Sequence, residues 1–176
     1  MEDEDRFKVW SSYAEISRKW VVVMDTKAGF IAALNMGLLA LLWSGVKIQD
    51  GGCVTKWIGV AASLFIVASV SCAIWVALPR ESLASIFGQG IRWHGDYKPL
   101  SYYGFISQSY GKADFAKLKD YAGGLTQAQL AEEALEQHFV LSHAAARKSG
   151  FVKIAGLLLL AAASLAGLAV LTRLYA

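Results

Sequence analysis

Histidine, cysteine and proline are scarce in this 176-residue chain, at three, two and two copies. Cys53 lies between two apolar stretches and Cys72 inside one, so the pair makes no metal-ligand pattern and reads as two inert thiols. His138 and His143 are five residues apart, about 140° around a helix, and share no face. With His94 they read as structural histidines, not ligands. No G-x-S-x-G, Walker A or H-E-x-x-H motif occurs. An enzyme is therefore poor in candidate residues, with no catalytic set, no metal site and no cofactor implied. The N-terminus, MEDEDRFKVW, is acidic instead of a basic stub before an apolar core, so no cleavable signal peptide is expected.

Charge is also missing from three long stretches: Ala28 to Val46, Ile58 to Leu78 and Ile154 to Leu171, of 19, 21 and 18 residues. About 20 apolar residues of helix span the ~30 Å hydrocarbon layer. With a mean hydropathy of +0.41, the chain reads as an all-α membrane protein with three transmembrane helices. It is expected to form a single membrane domain over 1–176, with a cytoplasmic segment at 79–150.

The basic residues are distributed unevenly. Five (Arg6, Lys8, Arg18, Lys19, Lys27) precede the first span, and nine, from Arg80 to Lys153, lie between the second and third. Only Lys47 and Lys56 separate spans one and two, and Arg173 alone occupies the tail. The fourteen-to-three split predicts a cytoplasmic N-terminus and middle segment, with the 47–56 loop and the C-terminus outside.

Before the first span, Phe7, Trp10, Ala14, Ser17, Val21 and Met24 recur at steps of three and four, an amphipathic seam. Residues 2 to 5 are acidic, which suits the positive end of a helix starting there. That helix either packs on another cytoplasmic helix or lies on the membrane; its mixed-charge outer face favours the first. Pro79 discourages continuation of the second span. A short helix is expected over 113–121, closed by Gly123-Gly124. Thr126 and Gln129 then have the form of a capping box. From there no proline interrupts the chain to Tyr175. One helix continuous with the third span is predicted, about 70 Å if unbroken, with Ser149-Gly150 its one expected kink. With the N-terminal helix it would form a cytoplasmic helical stalk.

Three groups of residues could carry function. Asp25 and Lys27 stand at the mouth of span one, with Arg147 and Lys148 at matching depth in the last helix. They read either as snorkelling side chains with one salt bridge, Asp25 to Lys148 or Arg147, or as a layer coupling the stalk to the spans. Gly29, Ala33 and Gly37 form a small-residue face, as do Ser69, Ala73 and Ala77. Such faces allow close helix contact within or between subunits. Asn35, alone among apolar neighbours, is expected to hydrogen-bond another helix, with pore lining as the alternative. Finally, the stretch IRWHGDYKPLSYY at 91–103 combines cations with stackable rings. Arg92, Trp93, Lys98 and Tyr102 could hold an anionic nucleotide, or the stretch could be an interfacial loop.

Several segments together resemble one known family. They are Asp25-Thr26-Lys27-Ala28 leading to Asn35, Tyr102 to Ile106, Tyr121 to Leu125, and Gln137 to Ser142 followed by Lys148. In order and spacing they resemble the Pycsar transmembrane effector domain, a bacterial anti-phage module, over about residues 10 to 172. The resemblance implies an effector switched on by a cyclic nucleotide, typically a cyclic pyrimidine monophosphate made by a partner cyclase on infection. It further implies inner-membrane impairment and growth arrest or death of the infected cell. A homo-oligomer is expected, because three helices alone cannot enclose a pore, and no nucleic-acid partner is implied. The competing readings are a ligand-free membrane scaffold and a SLATT-type effector of another conflict system.

Overall fold

A computed structural model describes residues 3–78, 100, 106 and 109–175. Within them the chain forms helices α1 (Asp3–Ala40), α2 (Cys53–Ala77), α3 (Phe115–Gly123) and α4 (Gln127–Leu174), with no strand. Three segments, Glu4–Gly45, Cys53–Ala77 and Gln127–Leu174, are long and apolar enough to cross a membrane. The protein is an all-α membrane protein.

The predicted N-terminal helix and first span are a single helix, α1. Its end departs from the expected α-helix: Leu41–Gly45 is a π-helical turn, closed by the Val46 N–H donating to the Leu41 carbonyl at 2.8 Å. α2 starts five residues before the expected Ile58 and ends at Ala77. Leu78, which precedes Pro79, is extended at ψ 123°, the conformation a following proline enforces. Helical geometry runs unbroken through Ser149 and Gly150. The Thr126 capping box is formed: the Thr126 N–H donates to Gln129 Oε1 at 2.9 Å, and the Gln129 N–H to Thr126 Oγ1 at 3.3 Å. α3 begins two residues later than expected. Asp114, just before it, accepts the Gly111 N–H at 2.9 Å and pairs with Lys117 at 2.7 Å. The Lys117 ammonium, chiefly through its hydrogen bond, holds the Asp114 carboxyl below its ordinary range. α3 ends at Gly123-Gly124 as expected, with Gly124 at φ −86° in ordinary right-handed geometry.

The chain divides into two compact units, Met1–Val21 with Pro79–Ala145, and Val22–Leu78 with Ala146–Ala176. In the second, the spans pack through small side chains. One cluster joins Ala28 of α1, Ala73 and Val76 of α2 and Ala155 of α4. Another joins Leu42 and Ile48 to Ala62, Ile66, Ala162, Ala166 and Ala169. Alanine at the contact lets helix backbones approach closely where lipid offers no hydrophobic drive to associate. Between α1 and α2 the chain reverses through Lys47, the one non-glycine residue at positive φ (51°) among those described. Ile48 then tucks under the bundle, 1% exposed. Gly59 makes that possible, since a Cβ there would stand 2.2 Å from Ile48 Cδ1.

In the first unit the predicted seam is the covered face of α1: Ala14 and Ser17 are buried, and Phe7, Trp10 and Val21 half-buried. Ala131, Ala134 and Val140 of α4 are buried in the same unit. Two of the histidines have structural partners here. His138 Nδ1 lies 2.9 Å from Ser17 Oγ and 3.2 Å from the Tyr13 carbonyl, and the His143 ring packs edge-on against Phe139.

Candidate ligand cleft and membrane-core contacts

At the mouth of the spans, the Lys148 ammonium donates to Asp25 Oδ1. Lys148 is 23% and Asp25 41% exposed, so the pair is only partly shielded from surrounding charge. Of the two partners weighed for Asp25, Lys148 takes the contact; Arg147 and Lys27 are exposed.

Deeper in the same unit Asn35 is fully buried. Its Nδ2 donates to the Ile31 carbonyl at 2.9 Å and to Ser69 Oγ at 2.8 Å. Ser69 in turn donates to the Ala155 carbonyl at 2.7 Å. One polar chain thus ties all three spans together. Asn35 Oδ1 meets no partner among the described residues, and rotating the amide would not help, because both neighbours require donors. Nearer the other end of α2, Thr55 donates to Thr172 at 3.2 Å, a second α2–α4 link.

The two small-residue faces differ. Ser69 and Ala73 of α2 are buried against neighbouring spans. Gly29, Ala33 and Gly37 of α1 are exposed, and a Cβ at Gly29 or Gly37 would meet nothing within 4 Å. Asn35 points into the bundle while these three point away, so the predicted contact set divides into an internal and an external part.

The four residues expected to hold a nucleotide, Arg92, Trp93, Lys98 and Tyr102, lie outside the described residues. Leu100, from the same 91–103 stretch, is described and lines a cleft of about 460 Å³ in the first unit. Phe7, Ser11 and Arg18 of α1 and Glu133 and Gln137 of α4 share that lining. Glu133 is 4% and Glu136 5% exposed, and both carboxylates are engaged. Sequence reasoning missed these two acids. The available signal was their register: Glu133 follows Leu130 by three residues and precedes Gln137 by four, on the covered side of α4.

A family model described as the Pycsar effector protein domain matches residues 12–174. The chain belongs to the Pycsar effector family. Neither a curated protein nor a solved structure matches it. This is a family of non-enzymatic effectors, and membership implies an anti-phage effector activated by a cyclic nucleotide that a partner cyclase supplies. The three apolar helices of this Pycsar effector imply direct contact with lipid.

Proposed function

We propose that this Pycsar effector senses a cyclic pyrimidine monophosphate in the cytoplasm and responds by impairing the inner membrane, arresting or killing the infected cell. The observation that carries the reading is the family match over residues 12–174, on a chain whose α1 and α4 each combine a membrane span with a polar, charge-bearing segment. The basic-residue asymmetry supports an inward-facing N-terminus and middle segment, where the messenger is made. The outward small-residue face at Gly29, Ala33 and Gly37 supports self-association, since a breach needs several subunits around it.

Asp25 and Lys148 serve as the coupling layer in this reading. An ion pair that is made in the resting state and loosened in the active one biases the balance between them, and a ligand needs only to bind the two states unequally. Asp25→Asn would then raise ligand-free activity and alter affinity only secondarily.

The test is dye release from liposomes carrying the purified full-length protein. Cyclic UMP or cyclic CMP is expected to release a trapped fluorophore, and Asp25→Asn to leak before ligand is added. Intact liposomes under both nucleotides, with the protein correctly inserted, would overturn the reading in favour of a ligand-free scaffold.

A further inference from the structure

We propose that the cleft lined by α1 and the first turns of α4 is the cyclic-nucleotide site, with Arg18 and Gln137 at its phosphate end and Glu133 and Ser11 facing the base. This deepens, and rests on, the reading of the chain as a cyclic-nucleotide-activated effector. The volume of about 460 Å³ falls within the range of small-molecule sites.

The electrostatics sort the cleft into two ends. Glu15 also lines the cleft, but its carboxylate is paired with Lys19 at 2.7 Å. Arg18 is only its weakest electrostatic neighbour and makes no ion pair of its own among the described residues. A cyclic phosphate diester carries one negative charge, and one guanidinium with neighbouring amide donors matches it. His138 contacts both Tyr13 and Ser17, so Gln137 lies level with the turn of α1 that leads to Arg18. Glu133 sits one turn earlier on α4. From Arg18 back to Ser11 is seven residues, about 10 Å of helix, enough to lay the sugar and base along the groove. Phe7 closes the far end with an aromatic surface.

Glu133 supplies what a phosphate site alone would not. A nearly buried carboxylate is costly to desolvate, and its oxygens only accept hydrogen bonds. A pyrimidine offers it an N–H donor at N3 of uracil or at the N4 amine of cytosine. A carboxylate has about four lone-pair positions, so Glu133, although already engaged, can accept a further donor. Leu100, which lies in the stretch singled out by its composition, is itself part of the cleft lining.

The test is calorimetry on the full-length protein in detergent, titrated with cyclic UMP and with cyclic CMP. Arg18→Ala and Glu133→Gln are each expected to weaken binding about tenfold or more. Arg18→Lys should lose less, and Lys119→Ala, a surface cation on α3, should change nothing. Circular dichroism and size-exclusion profiles matching wild type establish that the variants fold. If wild type binds while Arg18→Ala and Glu133→Gln bind equally well, the site lies elsewhere and the assignment fails with the effector reading intact. If wild type binds neither nucleotide, the effector reading itself falls.

Discussion

Asn35 and Ser69 occupy one hydrogen-bonded chain, yet removing each has a different consequence. Asn35→Leu deletes both the donor to Ser69 and the orphaned Oδ1, fills a similar volume, and leaves Ser69 bonded to the Ala155 carbonyl. Ser69→Ala instead strands an Asn35 N–H at a fully buried position between the spans. A buried donor left without a partner costs about 1–3 kcal/mol, whereas replacing a polar group by an apolar one of like shape is close to neutral. Interhelical hydrogen bonds in membranes are themselves worth only about 0.6–2 kcal/mol. Thermal unfolding in detergent should therefore rank Ser69→Ala as the more destabilised variant. The reverse order would mean that the Asn35 amide, and not the serine, organises the core.

The elements begin and end where local chemistry dictates. Leu78 is extended because Pro79 follows, and α4 starts where Thr126 and Gln129 satisfy each other's backbone amides. Thr126→Ala removes the oxygen that accepts the Gln129 N–H, at a cost of about 1 kcal/mol. The loss is local, because the remainder of a 48-residue helix is held by packing further along. Amide exchange should quicken over the first turn of α4, near residues 127–130, and stay unchanged beyond Ala155. Uniform quickening along the helix would show that the cap nucleates the whole element. The π-helical turn at Leu41–Gly45 follows a different logic. Residues 28–46 carry the composition of an ordinary span, and the widened turn arises where α1 meets the reversal at Lys47. There the Trp43 indole N–H also donates to Ser63 Oγ at 3.0 Å.

For the whole molecule, the proposed self-association rests on the outward face of α1. Because Gly37 has nothing within 4 Å of where a Cβ would stand, Gly37→Leu should leave the subunit's own packing untouched. Any loss of assembly is then attributable to contact between copies. Crosslinking in native membranes is expected to show smaller assemblies for Gly37→Leu, with weaker toxicity in cells. Unchanged assemblies with unchanged toxicity would remove this face from the interface. Gly59→Leu is the opposite case: Ile48 fills its approach, and the substitution should damage the subunit itself.

Three spans, the uneven basic residues, the amphipathic seam and the capping box were all legible in the sequence. Each depends on spacing or composition within one segment, and hydrophobic length and helical periodicity are local properties. The family resemblance was legible for the same reason, as ordered short motifs along the chain. Which partner Asp25 takes, and that Asn35 turns inward while Gly29, Ala33 and Gly37 turn outward, were decided only when separate helices met. A four-residue repeat on α1 and another on α2 look alike as strings; burial against a neighbour distinguishes Ser69 and Ala73 from Gly29 and Gly37. The cleft at Arg18 and Glu133 belongs to the same class. Its two walls stand more than a hundred residues apart, and a carboxylate's burial is set by what packs over it, which no periodicity encodes.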